Sequence, residues 1–303
     1  MHLKYNEVQL VELDLTTICN AKCPLCYRNK ISFSEKYKKP FYRNGEKVLK
    51  QIFSFPNLKT VYLIGQLSEP TTHPEFHEIV NEIKKRGLKI KICTNGDLHE
   101  DEYWNRLGDL MDDNDEIWFT LCGSNQKNHE HYRVNTNLER ILRHASCIRR
   151  IRNIDCAKCI RFSYNNDDIK SNKFKNMLVG FHKIEYLDTC YPSPQDDYKN
   201  NFEYLDFLPP KDIYDTYKKI NSLVDFYRKM GKTDIYCQSI KDYSLQIDAF
   251  GDIYPCYVHM EENNLTGWDG NYDDILSGKC ECCRYCNMRV VEYCNRNNRN
   301  SII

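Results

Sequence analysis

Apolar positions along the chain follow two alternating rhythms. Residues 8–15 read VQLVELDL, a largely apolar run that predicts a buried strand leading straight into a loop with three cysteines. Five more runs of this kind follow, over residues 60–65 (TVYLIG), 88–93, 116–121 (EIWFTL), 158–164 and 182–187. Between them the spacing becomes helical, over residues 46–55, 73–87, 99–111, 127–150 and 168–180. In the second of these, Phe76, Ile79, Val80 and Ile83 share one face and Gly87 marks the stop. Strand–helix alternation of this regularity predicts an α/β fold with a parallel sheet and right-handed crossovers. An open six-stranded barrel and a doubly wound sheet both fit. In either, a site is expected at the C-terminal ends of the strands. The cysteine loop, residues 65–70 and residues 94–96 all occupy that position.

The rhythm changes after residue 190. Residues 190–208 contain YPSP with many Asp and Asn and read as a linker or excursion. Pro209 and Pro210 open a helical stretch to about residue 231. Residues 243–249 and 253–257 then flank Phe250-Gly251-Asp252, a hairpin pattern. A boundary near residue 208 divides the chain into a core of residues 1–208 and a small cysteine-rich unit of residues 209–303. There is no internal repeat.

Charge narrows the functional classes. The 43 Lys and Arg balance the 43 Asp and Glu, so no basic excess argues for a nucleic-acid partner. No apolar run reaches the roughly 18 residues of a membrane span, and the N-terminus lacks a signal-peptide layout. A cytoplasmic protein without a membrane partner is expected. There, sixteen cysteines point to metal ligation ahead of disulfides.

The first cysteine cluster reads CNAKCPLCYR, with Cys19, Cys23 and Cys26 spaced by three and two residues. Three thiolates on one loop suit three irons of a cubane cluster. A structural zinc or a ferredoxin cluster would want a fourth ligand. A cubane with three protein ligands leaves one iron open to a small molecule. This Cys-x3-Cys-x2-Cys after the first strand resembles the signature of the radical S-adenosylmethionine (SAM) superfamily. The similarity runs over about residues 8–190. Gly65-Gln66-Leu67-Ser68-Glu69-Pro70 resembles the family's Gly-Gly-Glu-Pro-like segment, Thr94-Asn95-Gly96 its Thr-Asn-Gly, and FTLCGSNQKNHEHYR the segment after its fourth strand. Leu25, where the family often has an aromatic residue, and Gln66-Leu67-Ser68, in place of a glycine-rich run, are departures.

The resemblance implies a partial (β/α)6 barrel, a 4Fe–4S cluster on Cys19, Cys23 and Cys26, and SAM on the open iron. It implies reductive cleavage of SAM to a 5′-deoxyadenosyl radical that abstracts hydrogen from a substrate, with an electron donor such as flavodoxin or ferredoxin. By the same resemblance, backbone around Gln66, Ser68 and Glu69 meets the SAM amino group, Thr120 touches the ribose and Tyr27 packs near the adenine. Arg133 either pairs with the SAM carboxylate or is a solvated helix arginine.

Downstream, Cys237, thirteen residues, Gly251, four residues and Cys256 resemble the start of the SPASM or shorter twitch extension of radical SAM enzymes. Cys280, Cys282, Cys283, Cys286 and Cys294 follow. They lack the spacing of a full SPASM domain, which favours one auxiliary 4Fe–4S cluster; Cys237 and Cys256 are completed by a Cys-x2-Cys, either Cys283/Cys286 or Cys280/Cys283, and Cys237, Cys256, Cys283 and Cys286 are the best four. Zinc on the same thiolates is the competing reading. Cys156 and Cys159 straddle the start of a predicted strand, and packing is the simpler account of them. Asp97, Asn125 and Tyr164 are candidates to face substrate. Relatives with such extensions often modify peptides, which puts a peptide substrate ahead of a nucleotide or small metabolite. A non-catalytic iron–sulfur or zinc protein is the contrasting class.

Overall fold

A computed structural model of the chain describes residues 5–26, 28, 35–188, 206–208, 210–211 and 242–254. The elements run β1 (Leu10–Leu13), α1 (Glu35–Lys38), α2 (Gly45–Ile52), β2 (Thr60–Leu63), α3 (Phe76–Lys85), β3 (Lys89–Thr94), α4 (Asp101–Leu110) and β4 (Glu116–Leu121). They continue with α5 (Gln126–Tyr132), α6 (Leu138–Ile151), β5 (Asp155–Arg161), α7 (Asn166–Lys170), α8 (Asn172–Met177), β6 (Lys183–Asp188), β7 (Ser244–Ile247) and β8 (Ile253–Tyr254). The described strands form one sheet in the order β6-β5-β4-β3-β2-β1-β7-β8, parallel except for the β7–β8 hairpin.

Alternation along the strands decides the layering. Val11 and Leu13, Val61 and Leu63, Ile90 and Ile92, and Ile117, Phe119 and Leu121 all enter one apolar core. Val48 and Ile52 of α2, Ile79, Val80 and Ile83 of α3, Trp104 and Leu107 of α4, and Ile141, Ala145 and Ile148 of α6 enter the same core. Among the described residues the helices cover one face only, which fits an open barrel better than a doubly wound sheet, which carries helices on both. The opposite, concave face carries the intervening residues, many of them polar. Gly96 closes the turn after β3 at φ 73°, and a Cβ there would lie 2.6 Å from Phe119 Cδ1, so both backbone and space demand glycine.

Three expectations change. The strand expected over residues 158–164 lies at Asp155–Arg161. Asp155 disguises its start, because this buried carboxylate is held by Arg149 Nε at 2.9 Å. Cys156 and Cys159 therefore lie inside β5 on opposite faces, Cys159 in the core, which a redox pair or shared metal site would not tolerate. The helix expected over residues 127–150 is two helices. Asn135 takes φ 67° between them, and Asn137 caps α6 by accepting from Arg140 N at 2.9 Å. The helix expected over residues 168–180 likewise breaks at Ser171, which caps α8.

The hairpin forms around Gly251, at φ 96°. Its first strand also pairs in parallel with β1, Leu10↔Ser244 through Leu13↔Ile247. It thereby covers an edge that would otherwise expose unpaired backbone groups. Asp248 accepts from Phe250 N and Asp252 N at 2.9 Å each, shaping the turn. The same carboxylate takes Tyr37 Oη and Lys36 Nζ, tying the hairpin to α1.

Candidate radical SAM site

The site assembles where β1, β2 and β3 end. Beyond Leu13, the chain passes Asp14 and enters the loop with Cys19, Cys23 and Cys26. Cys23 is buried and the other two are half-buried, all three as free thiols. Backbone N–H groups of Ala21 and Arg28 point at the sulfurs of Cys19 and Cys26. Asn95 Nδ2 lies 3.9 Å from Cys19 Sγ and donates to Asn20 Oδ1 at 2.7 Å. Arg133 Nη1 donates to Cys23 Sγ at 3.6 Å. Burial, followed by the neighbouring Glu69, pushes the Cys19 thiol up to about 12, and burial raises Cys26 as well. Both therefore stay protonated at neutral pH until a metal displaces the protons. Among the described residues no three His, Cys, Asp or Glu side chains converge on a point that one ion could occupy. Thiols that each bind a different iron have no need to converge so tightly.

Glu69 joins the surrounding loops. Its backbone N–H donates to Ile18 O at 2.8 Å, and its buried carboxylate accepts from Thr71 Oγ1 (2.8 Å), Thr94 Oγ1 (2.6 Å) and Asn95 N (2.7 Å). Burial raises its pKa and these donors oppose the rise. Ser68 Oγ donates to Asp14 Oδ1 at 2.8 Å, and Gln66 is half-buried on the same loop. Thr120, buried, stands on the concave side of β4. Arg133 follows α5 with its guanidinium turned inward and Nε buried and, among the described residues, without a partner, so it is not a solvated surface arginine. Three thiols on one loop, N–H groups aimed at their sulfurs and an inward guanidinium short of one acceptor fit a cubane cluster with an anionic ligand beside it.

Other residues singled out by sequence have structural tasks. Asp97 Oδ1 accepts from Asn137 N at 2.8 Å, Asn125 caps α5, and Tyr164 Oη donates to Asn128 O at 3.0 Å. Tyr27, Cys237, Cys256, Cys283 and Cys286 lie outside the described residues.

Asp14 escaped the sequence reading, although an acid inside an apolar strand is itself a signal. Burial raises its pKa to about 7, with hydrogen bonds from Ser68 and Leu67 opposing, and among the described residues Oδ2 has no partner. A folded pKa above the unfolded value near 3.9 means the folded state holds the proton more tightly. The stability this group contributes is therefore present at about pH 4 and lost as pH rises toward 7. Asp14→Asn, which keeps the shape without the charge, is expected to gain stability relative to wild type over that window, on the order of 4 kcal/mol at most. Urea unfolding of both proteins across the window checks it; a gap independent of pH is the contrary result.

The comparisons with known proteins agree with this geometry. The Radical SAM superfamily profile matches residues 13–161. A curated relative from Pyrococcus furiosus, the tungsten-containing aldehyde ferredoxin oxidoreductase cofactor-modifying protein, is 37% identical over 98 residues, 32% of this chain and 27% of that protein. The chain thus matches about a quarter of the length of that relative. Among solved structures, SuiB of Streptococcus suis bound to the precursor peptide SuiA superposes with a TM-score of 0.59 at 13% identity, covering 93% of this chain and 70% of that one. Native anSMEcpe with bound AdoMet gives 0.56 at 18%, covering 92% and 88%. These two likenesses speak for the fold. From the end of β1 through β5, a stretch that includes the cysteine loop at the sheet's C-terminal edge, the chain is similar to the Radical SAM superfamily, a family built around a 4Fe–4S cluster and SAM.

Proposed function

We propose that this chain reductively cleaves SAM at a 4Fe–4S cluster on Cys19, Cys23 and Cys26, and that the 5′-deoxyadenosyl radical takes a hydrogen atom from a substrate. The observation that carries this is the three-cysteine loop at the end of β1, enclosed by the Glu69 loop, Asn95 and Arg133. When bound, cluster and SAM supply the radical. The protein's own groups hold and shield them, with Arg133 toward the SAM carboxylate, backbone at Gln66, Ser68 and Glu69 toward its amino group, and Thr120 and Tyr27 toward the nucleoside.

Residues 209–303 form the second unit in this reading, with an auxiliary 4Fe–4S cluster on Cys237, Cys256, Cys283 and Cys286. The spacing around Gly251 and the hairpin it turns support that placement. The substrate read first is a peptide, the class of ligand seen with SuiB and with anSMEcpe in its Kp18Cys complex. A small molecule or cofactor is the second reading, favoured by the Pyrococcus relative, whose name describes it as cofactor-modifying. The electron donor is a flavodoxin or ferredoxin.

The test is anaerobic reconstitution, reduction with dithionite in the presence of SAM, and chromatography for 5′-deoxyadenosine, with iron and zinc counted on the same sample. Product with about eight irons per chain supports both clusters; about four supports the first alone. Zinc without iron overturns the reading.

A further inference from the structure

The concave face of the sheet carries polar side chains that neither the cysteine loop nor the fold uses. Glu12 on β1 is in register with Tyr62 on β2 and with Gln246 on β7. All three face away from the helix-covered core, because their neighbours Val11, Leu13, Val61, Leu63, Leu245 and Ile247 enter it. Trp118 and Lys158 stand across the face, Lys158 Nζ lying 5.5 Å from the Trp118 ring centroid and 3.4 Å from Tyr62 Oη. Glu12, Tyr62, Trp118 and Lys158 are each half-buried and so remain reachable from the concavity.

Two features define what this surface takes. Gln246 is fully buried, and among the described residues neither its amide nitrogen nor its amide oxygen has a hydrogen-bond partner. An enclosed amide with both ends unpaired is a costly feature to keep unless something else completes it. The described lysines of the face, by contrast, are already matched. Lys158 pairs with Glu185 at 3.7 Å, and Lys89, Lys91 and Lys183 all converge on Glu116 at 2.6–3.4 Å. The carboxyl of Glu12, next to Gln246, meets Lys158 and Asp242 as nearby charges, and burial raises its pKa to about 7, so it serves a ligand N–H as an acceptor once ionised. Among the described residues, this stretch of the face pairs an acceptor with an unpartnered amide and, apart from Arg133 at the cysteine loop, holds only lysines already matched to carboxylates, which favours a neutral ligand edge over an anion.

We propose that Glu12 and Gln246 are the reading edge of the substrate site. They take a neutral group that presents N–H beside C=O, a peptide-type amide or the lactam edge of a planar heterocycle, with Tyr62 and Trp118 as aromatic walls. This deepens the radical SAM reading and rests on it.

The test uses the full chain, reconstituted anaerobically. Tryptophan fluorescence is titrated with guanosine as the lactam probe, N-acetyl-Gly-Gln-Gly-amide as the amide probe and ribose 5-phosphate as the anionic probe. Trp118→Phe identifies which part of the signal belongs to Trp118. At least one neutral probe is expected to give saturable quenching at millimolar concentration, and both Gln246→Leu and Glu12→Gln to weaken it roughly tenfold. Guanosine alone points to a heterocycle and the tripeptide alone to a peptide. Gln246→Leu is also expected to raise the melting temperature by about 2–4 °C, since it removes an unpaired buried amide while keeping similar bulk. A fall in melting temperature would show that the fold itself satisfies Gln246 and overturns the proposal. So does tighter binding of ribose 5-phosphate, or no response to either neutral probe. Wild-type 5′-deoxyadenosine formation, followed on the same preparation, separates the failures. If it is present, only this inference falls; if it is absent from protein with full iron, the radical SAM reading falls with it.

Discussion

Cys23→Ala is expected to abolish 5′-deoxyadenosine formation, by roughly a thousandfold or more, and to strip iron from the first site. Two thiolates cannot hold a cubane that already leaves one iron without a protein ligand. Cys23 is also the buried member of the three and accepts from Arg133 Nη1 at 3.6 Å, so its loss additionally frees a guanidinium aimed into the loop. Cys159→Ala is the matched control. That thiol lies in the apolar core on the helix side of β5, away from the cysteine loop, and burial pushes its pKa up to about 12. Losing one buried sulfur there is expected to cost about 1 kcal/mol of stability and to leave iron content and product unchanged. Iron counts and chromatography on the two variants check the contrast. Equal iron in both, or product from Cys23→Ala, would remove the cysteine loop from the chemistry.

That loop was legible because ligand spacing is local. Three cysteines within eight residues carry their chemistry without any knowledge of tertiary contacts. The strand β4 was legible for a similar reason, since after Glu116 the run IWFTL has no residue that contradicts a buried strand, and its bounds match. Asp155 misled because its charge looks like a loop residue until Arg149, six residues earlier on a helix, is brought against it. The break between α5 and α6 depends on one residue, Asn135, entering the left-handed region, which helical periodicity does not register.

Glu12 and Asp14 were harder to read. Within VQLVELDL they look like minor interruptions of an apolar run. They lie two apart, on the face that Val11 and Leu13 leave, and their setting comes from elsewhere: Ser68 after β2, Gln246 and Asp248 on the hairpin. No reading of residues 8–15 alone supplies a partner more than two hundred residues away. The pairing of β7 with β1 also gives the hairpin a role in the core, since it places Gln246 next to Glu12 and ties Asp248 to the α1 segment beyond the cysteines.

Glu69 offers the largest expected effect outside the cysteines. Its carboxylate accepts from Thr71, Thr94 and Asn95 while its own N–H holds Ile18, so one side chain and its backbone connect the cysteine loop with the ends of β2 and β3. Glu69→Ala leaves buried donors facing a cavity. With each unsatisfied group costing about 1–3 kcal/mol, the variant is expected to lose roughly 3–5 kcal/mol. Glu69→Gln keeps the shape but turns an amide N–H₂ toward at least one of those donors. It is expected to cost about 1–3 kcal/mol, less than the alanine change. Loosening these loops is expected to weaken SAM binding at least tenfold in Glu69→Ala, measured by calorimetry on reconstituted protein, with the glutamine variant between it and wild type. Urea midpoints give the stability order. Should Glu69→Ala lose stability as expected but bind SAM like wild type, Glu69 would be a fold residue only, and the SAM amino group would have to be held by other parts of the loop.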